Sequence, residues 1–342
     1  MIDTGFRDYT HAAELLKAGK RFVIGGHPMM DGDAIGSLYA LYHSLTHAGR
    51  DCLAVTQDVG LGKYQFLDGA TTLTPLTDLP DKLEGYDTAV IVDCGAESRA
   101  RAILERLAPG TTIINLDHHI DNPGFGDAAV VIPDASSSGE VVYQVLKQAG
   151  IPLTQSAAEC LFTAIVTDTG RFSFSNSTPE SFRIVADLIE QFGLDVAVLA
   201  GQIYRAKTPQ RLKLEAMVAQ SIETRLDGKL VIARVSQQML DATGCTESEA
   251  NEMIIIPKSL KGGMVCIMFR EMTPEHVKVS LRSEGQMPVN DIAAKFRGGG
   301  HLRAAGCQVY GRPIADAEAD IIAAVTEALE STLKETGGKI IV

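Results

Sequence analysis

Apolar and polar positions alternate along the first half of the chain in a way that predicts strands separated by helices. Short β-branched runs are typical of buried strands, and the segments between them carry apolar residues at helical spacing. The predicted strands are 21–25, 52–56, 88–92 and 111–116. Helices are predicted over 8–19, 34–48, 97–107, from 137, over 155–167 and over 178–192. This repeated order of strand and helix predicts an α/β fold with a doubly wound, mostly parallel sheet.

The pattern changes near Lys229, after a helical, polar-patterned stretch. Strands are predicted over 230–235, 264–270 and 277–282, with helices over 236–243, 248–255, 288–296 and 314–336. This half predicts a smaller α+β domain. We therefore divide the chain into a first domain at 1–192, a helical linker at 193–222 and a second domain at 223–342.

Composition is consistent with two globular domains in a chain of 342 residues, with 45% hydrophobic and 22% charged residues. No apolar run approaches the roughly 20 residues that cross a bilayer, and the N-terminal stretch has no apolar signal core. We expect a cytoplasmic protein without a membrane partner. The six cysteines form no CxxC pair, which argues against a zinc knuckle and a disulfide framework.

The net charge of −12 bears on the choice of ligand. A protein that binds long nucleic acid needs a basic track, and this chain also lacks tryptophan for extended base stacking. If the ligand carries phosphate, we expect it to be small or short, and attracted by local positive charge that includes metal ions. The oligomeric state stays open, with a homodimer among the alternatives.

The stretch from Ile113 to His119 carries the strongest chemical signal. A predicted buried strand leads directly into Asp117, His118 and His119, and such groups are seldom left in a core unless paired or bound to metal. An ordinary polar loop after a strand is the alternative for this stretch taken alone. The alternative weakens because similar groups follow other predicted strands and an apolar helix.

Acids and imidazoles recur at positions that a doubly wound sheet brings to one edge. They are His27, Asp31, Asp33, Asp93, Asp117, His118, His119 and Asp168. Asp33 also fits the simpler role of a helix N-cap. Three histidines and five aspartates together need cations, and carboxylates with imidazoles but no thiolate favour Mn²⁺, with Mg²⁺, Co²⁺ or Zn²⁺ as alternatives. That many ligands suits two metal ions about 3.5–4 Å apart, which activate water for attack on phosphorus.

These motifs resemble those of the DHH phosphoesterase family, in its DHH/DHHA1 branch of RecJ-like exonucleases and phosphoesterases that degrade very short RNA. His27 to Ser37 matches the first motif, Asp93 the second, Asp117 to His119 the third and Asp168 to Gly170 the fourth. The glycine-rich motif of the second domain is matched by 298–306. Met30 departs from the family, which often has proline before the first aspartate.

The resemblance implies a role for each motif residue. His27, Asp31 and Asp93 would hold one metal, and Asp33, Asp93, His118 and Asp168 would hold the other, with Asp93 bridging. His119 would contact the scissile phosphate or leaving group, and Asp117 would orient a histidine. The second domain would close over the site. Its substrate contacts, together with Arg171 of the first domain, would be Arg270, Arg282, Gly298, Gly299, Gly300 and His301. A solvated sheet face is the alternative for the two arginines of the second domain.

The resemblance also implies an activity: two-metal hydrolysis of short oligoribonucleotides to mononucleotides, and of 3′-phosphoadenosine 5′-phosphate (pAp) to AMP. The first alternative is a phosphodiesterase for cyclic di-AMP or its linear product pApA. A single-strand DNA exonuclease fits the charge and length less well, and a manganese pyrophosphatase would need a basic signature that the second domain lacks. A non-catalytic binding protein is the alternative of a different class, and the complete set of histidines and aspartates argues against it.

Overall fold

The computed structural model describes residues 8–58, 64–69, 72–205, 207–285 and 287–335, with the backbone alone described for Ser248 and His301. The chain divides into two compact units, Met1–Ala206 and Lys207–Val342. None of the helices in the described ranges is long and apolar enough to cross a membrane.

The first unit is built on a six-stranded parallel sheet, which confirms the predicted doubly wound fold. Its strands are β1 (Arg21–Gly26), β2 (Asp51–Thr56), β3 (Thr74–Pro75), β4 (Thr88–Val92), β5 (Thr112–Asp117) and β6 (Ala128–Val131). They lie in the order β3-β2-β1-β4-β5-β6. The order reverses between β1 and β4, and a crevice for ligands opens at the carboxyl ends of strands at such a switch point.

Helices cover both faces of this sheet. They are α1 (Tyr9–Ala18), α2 (Gly32–His47), α3 (Glu97–Leu104), α4 (Ser138–Ala149), α5 (Gln155–Asp168), α6 (Pro179–Phe192) and α7 (Val196–Tyr204). Alternate residues of a strand face opposite sides: Val90 and Val92 join the larger core, whereas Ala89 and Ile91 join the smaller one. The strands are therefore buried on both faces and rigidly position the loops that follow them.

Helix α7 lies in the stretch that the sequence suggested as a linker, and it packs into the first unit. Leu199 and Ile203 belong to the larger core of that unit, and the Tyr204 hydroxyl donates a hydrogen bond of 2.8 Å to the carbonyl oxygen of Val166. The next helix, α8 (Pro209–Gln220), buries Leu214 in the second unit. The helical stretch thus contributes to the core of both units.

The second unit has a mixed six-stranded sheet. Its strands are β7 (Glu223–Arg225), β8 (Leu230–Val235), β9 (Val265–Thr273), β10 (His276–Ser283), β11 (Gly299–His301) and β12 (Ala304–Tyr310). They lie in the order β11-β12-β10-β9-β8-β7, and only β8 and β9 run parallel. The remaining helices are α9 (Gln237–Thr243), α10 (Glu247–Glu252), α11 (Ile255–Lys258), α12 (Val289–Lys295) and α13 (Ile314–Glu335).

Candidate active site and metal centre

The loop between β1 and α2 contributes His27 and Asp31, the first two of the residues singled out as ligands. The Nδ1 atom of His27 lies 2.7 Å from the carbonyl oxygen of Pro28, while its Nε2 lies 3.4 Å from Oδ2 of Asp93. Asp31 is the N-cap of α2, because its Oδ1 accepts backbone N–H bonds of 3.0 and 3.1 Å from the first turn. The cap is therefore Asp31 and not Asp33, which the sequence had offered for that role.

Asp33 lies in the first turn of α2 and is 1% exposed. Its two carboxylate oxygens accept the backbone N–H groups of Ser138 at 2.7 Å and Gly139 at 2.9 Å, at the start of α4. The Ser37 hydroxyl donates a third hydrogen bond of 3.2 Å. A helix N-terminus favours an anion, so α4 holds this carboxylate in one orientation.

Asp93 follows β4 directly and occupies the centre of the cluster. Its backbone has φ of +50°, a left-handed conformation that is uncommon outside glycine, and its side chain is buried. Besides His27, its carboxylate lies 3.9 Å from Nε2 of His118 and 3.7 Å from Nδ1 of His119. Strained backbone at a functional site is held by its surroundings, and here it places one carboxylate among three imidazoles.

His118 lies between the first turn of α2 and the last residue of α5. Its Nε2 lies 3.7 Å from Oδ2 of Asp33 and 3.7 Å from Oδ2 of Asp168, the last residue of α5. Asn176 fixes the carboxylate of Asp168 by donating a hydrogen bond of 3.0 Å to its Oδ2. The fourth sequence motif is thus brought to the same edge of the sheet as the other three.

Three groups of these residues could hold metal ions: His27 with Asp31 and Asp93, Asp33 with His118 and Asp168, and Asp93 with His118 and His119. Within each group the donor atoms lie within 4.8 Å of one another. Two donors bound at about 2.1 Å to one ion lie roughly 3–4.2 Å apart, which matches the 3.4 to 3.9 Å between these imidazole and carboxylate atoms. The residues present therefore fit a metal centre, with Asp93 and His118 each shared by two groups.

The electrostatics of the cluster favour bound cations. Burial raises the pKa of Asp33 well above its ordinary value, and repulsion from Asp93 and Asp168 adds to the rise. Burial likewise raises the pKa of Asp168 to about 6. For Asp93, burial opposes ionisation, but the neighbouring histidines outweigh it and lower the pKa of this carboxyl. Nearby divalent charge would relieve the repulsion between buried carboxylates.

Asp117 and His119 form a hydrogen-bonded pair beside the cluster. Asp117 is 0% exposed, and its Oδ1 lies 2.8 Å from Nδ1 of His119. This hydrogen bond raises the pKa of His119 to about 9, against the opposing effect of burial. The carboxylate of Asp117 thus fixes the ring of His119 instead of pointing at the groups that could hold metal.

A network of buried amides supports Asp117. The Nδ2 atom of Asn122 donates to Oδ2 of Asp117 at 2.6 Å and to Oδ1 of Asn115 at 2.9 Å. The Asn122 Oδ1 accepts the backbone N–H of Gly124 at 2.8 Å, and both asparagines are buried. Each of these amides is held by several partners, so the position of Asp117 is set by the loop after β5.

Sequence reasoning missed four residues that position the cluster: Asn115, Asn122, Ser138 and Asn176. The Ser138 hydroxyl donates to Oδ1 of Asp93 at 3.0 Å, in addition to its backbone bond to Asp33. The run from Ser137 to Glu140 was interpreted as a helix start, and Ser137 is indeed the N-cap of α4. The sequence carries no signal that this helix start lies against Asp33 and Asp93.

The three arginines proposed as substrate contacts lie in different surroundings. Arg171 lies with its guanidinium carbon 3.8 Å from the ring centre of Tyr204. Arg270 is 2% exposed and bound within its own unit, 3.0 Å from Oε2 of Glu247 and 2.6 Å from Oδ1 of Asn251. The solvated sheet face considered for Arg270 is therefore wrong, and its role toward substrate stays a prediction.

Arg282 and the triple glycine lie at one end of the second sheet. Burial lowers the pKa of Arg282, whose guanidinium donates to the carbonyl oxygen of Leu281 at 2.9 Å. A Cβ at Gly298 would lie 2.2 Å from the Gly306 carbonyl oxygen, and Gly300 has φ of +137°, so packing and conformation require these two glycines. Apart from Gly299 itself and its two chain neighbours, no described residue has an atom within 4 Å of a Cβ built at Gly299. The side chain of His301 lies outside the described residues.

The sheet order and the site together define a class: a doubly wound α/β protein with a candidate metal centre, built from carboxylates and imidazoles, at the switch point of its sheet. Family comparison is in accord. The model of the DHH family N-terminal domain matches residues 21–165, and that of the DHHA1 domain matches residues 227–331. The chain belongs to the DHH family, whose members of this type are metal-dependent phosphoesterases.

Relatives and a solved structure match over nearly the whole chain. It is 32% identical to the bifunctional oligoribonuclease and PAP phosphatase NrnA of Thermus thermophilus, covering 93% of each chain. Identity to the Bacillus subtilis protein of the same name is 29%, covering 86% of this chain and 91% of the relative. The crystal structure of an exopolyphosphatase-related protein from Bacteroides fragilis superposes with a TM-score of 0.85 at 26% identity, covering 94% and 95%.

Proposed function

We propose that this protein hydrolyses short oligoribonucleotides to mononucleotides and pAp to AMP at a single site containing two Mn²⁺ ions. The observation that carries the proposal is the cluster around the buried Asp93, where three imidazoles and three further carboxylates meet at the switch point of the sheet. Relatives that bear both activities in their names support the choice of substrates. The cytoplasmic location and the homodimer stay predictions.

The ligand sets follow the donor groups. His27, Asp31 and Asp93 would hold one ion, and Asp33, Asp93, His118 and Asp168 the other. Mixed oxygen and nitrogen donors without thiolate favour Mn²⁺, with Mg²⁺ or Co²⁺ as alternatives. Bound at this centre, the ions would lower the pKa of a water nucleophile and neutralise charge on the phosphate.

The protein groups around the centre hold and orient the reactants. Asp117 fixes the imidazole of His119 through Nδ1, and Nε2 is the nitrogen that we assign to the scissile phosphate or its leaving oxygen. Asn122 keeps Asp117 in place. In the second unit, Arg282, Gly299 and His301 would bind further phosphate oxygens, since an arginine and an open backbone suit an anion.

A substrate panel tests the proposal. Protein stripped of metal and then loaded with Mn²⁺ is given pAp, an RNA dinucleotide, pApA, cyclic di-AMP and single-stranded DNA, and kcat/KM is measured for each. We expect AMP from pAp and mononucleotides from the dinucleotide, with lower values for the cyclic compound and DNA. A highest kcat/KM on pApA or cyclic di-AMP would instead assign the phosphodiesterase function, and binding without turnover would indicate a non-catalytic protein.

A further inference from the structure

One face of the second sheet is left partly open along β10 and β12. These antiparallel strands place four pairs on that face: His276 with Tyr310, Lys278 with Gln308, Ser280 with Gly306, and Arg282 with Ala304. The alternate residues Val277, Val279 and Leu281 are buried in the core on the opposite side. On the open side, the described core cluster takes Cys266 and Met268 from β9 but nothing from β10 or β12. We call the four pairs the β10–β12 face.

An aromatic platform lies at one end of the β10–β12 face. The rings of His276 and Tyr310 are stacked, with centroids 4.1 Å apart and planes at 22°. Gln308 fixes both rings, because its Oε1 lies 2.9 Å from His276 Nε2 and accepts a hydrogen bond of 2.9 Å from the Tyr310 hydroxyl. Tyr310 nonetheless remains 63% exposed. A rigid, solvent-exposed aromatic face is what a nucleotide base stacks on.

Positive charge continues along the same face, with Lys278 between this platform and the glycine-rich end and Arg282 at that end. Lys278 donates a hydrogen bond of 3.1 Å to the neutral Asn251, and neither Lys278 nor Arg282 forms an ion pair with a carboxylate in the described part of the chain. These two cations lie together on one face of a protein whose net charge is −12. Cations without carboxylate partners beside an aromatic platform are complementary to a phosphodiester chain.

The length of the β10–β12 face suits a short oligomer. Arg282 and His276 are six residues apart on one strand, which at about 3.3 Å per residue separates them by roughly 20 Å. Gly299, to which we assigned a phosphate contact, pairs with Gly306 opposite Ser280, two residues from Arg282 and four residues, or roughly 13 Å, from the platform. A ligand held there by one nucleotide would reach the platform only through additional nucleotides.

We propose that His276 and Tyr310 form a base-stacking subsite for the far end of an oligoribonucleotide, with Lys278 binding a phosphate before it. This inference rests on the proposed function and deepens it, because it separates the two substrates. The single nucleotide of pAp is too short to extend from the glycine-rich end to the platform. The subsite therefore serves RNA of several nucleotides and has no part in the hydrolysis of pAp.

The test compares Tyr310→Ala with the wild type on a pentaribonucleotide and on pAp. Loss of one stacked base lowers affinity by about 10-fold to 100-fold, so we expect kcat/KM on the pentamer to fall by that factor while pAp stays within twofold. Tyr310→Phe keeps the ring and removes only the hydroxyl, and it should retain most activity on the pentamer. Equal rates of Tyr310→Ala and wild type on the pentamer, or an equal loss on both substrates, would overturn the subsite.

Direct binding is measured with Tyr310→Trp, since the chain contains no other tryptophan. With chelator present to prevent turnover, we expect pentaadenylate to quench the fluorescence of this variant in a saturable way, and AMP at the same concentration not to. Fluorescence unchanged by pentaadenylate would overturn the proposal even if Tyr310→Ala failed to fold. A wild-type protein inactive on both substrates would instead reject the proposed function.

Discussion

At the scale of single residues, the site depends on a few carboxylates whose positions are fixed by hydrogen bonds. Asp33 is held by the start of α4, Asp117 by Asn122 and Asp168 by Asn176. Asp93 differs, because its place depends on a left-handed backbone that brings the carboxylate to three imidazoles. Its substitution separates the effects of charge and of backbone conformation.

We predict that Asp93→Asn abolishes turnover and removes both metal ions while the protein stays folded. Asparagine tolerates a left-handed φ better than most residues and has nearly the shape of aspartate, so only the charge is lost. Asp93→Ala should lose activity equally and also unfold at a lower temperature. Metal content, turnover and Tm are measured for both variants, and two bound ions with most of the turnover in Asp93→Asn would contradict the bridging role.

Asn122→Ala should lower kcat by about 10-fold to 100-fold with metal content near that of wild type. The side chain donates to Asp117, which orients His119, and neither of these residues is in the assigned ligand sets. Asn122→Asp is the matched control, because it keeps the acceptor for Gly124 but loses the donor and places a second charge beside Asp117. If the hydrogen bond donated by Asn122 matters, Asn122→Asp lowers kcat at least as much as Asn122→Ala does. Full activity in Asn122→Asp would show that the network is not needed.

His301→Ala should lower kcat/KM on pAp and on RNA dinucleotides by about 10²-fold, which corresponds to roughly 2.7 kcal/mol of transition-state stabilisation. The expectation comes from its place after the triple glycine in the family motif. Metal content and Tm should stay near wild type, because all assigned ligands lie in the first unit. Kinetics within about threefold of wild type would show that His301 makes no important contact with the substrate.

At the scale of residues, the sequence predicted the candidate metal ligands that meet at the centre. It did not predict the residues whose hydrogen bonds hold those ligands in place. His27, Asp93 and His118 directly follow or adjoin strand ends, and parallel strands bring such positions to one edge. The hydrogen bonds of Asn122 and Ser138 depend on how a loop and a helix start approach the strands, which no local pattern encodes. Arg270 shows the same limit, since its partners come from α10.

At the scale of elements, the glycine-rich motif forms a β-hairpin. Its strands β11 and β12 were not predicted, because glycine and alanine dominate the motif and the β-branched and aromatic signal is confined to Val309 and Tyr310 at the end of β12. The short strand β6 was missed for a similar reason, with alanine in two of its four positions. Longer strands and capped helices were predicted well, as Thr178 and Pro179 at the start of α6 illustrate.

The hairpin predicts opposite outcomes for two glycines. Gly300→Ala should destabilise the protein by about 1–3 kcal/mol, because its φ of +137° suits glycine alone and the added Cβ would lie 2.5 Å from the Ala304 carbonyl oxygen. Gly299→Ala meets open space, so denaturation should show wild-type stability. If phosphate approaches this backbone, Gly299→Ala still lowers kcat/KM on pAp; wild-type stability and wild-type kinetics together would place the ligand elsewhere.

At the scale of the whole molecule, the chain consists of two units with separate cores, and its predicted boundaries can be tested by truncation. A fragment of residues 1–206 should fold and bind Mn²⁺ but turn over pAp poorly, since the assigned phosphate contacts of the second unit are absent. A fragment of residues 1–192 should have a lower Tm, because it loses the buried Leu199 and Ile203 of α7. Full activity of 1–206 on pAp would contradict a role for the second unit.

The proposed function requires two metal ions at the Asp93 cluster for hydrolysis. The most direct test titrates metal-stripped, full-length protein with Mn²⁺ and follows bound metal and AMP release from pAp in the same samples. We expect turnover to rise as the second equivalent of Mn²⁺ binds and to be complete at two ions per chain. Full turnover with no metal or with one ion per chain, in a protein that is folded throughout, would contradict it.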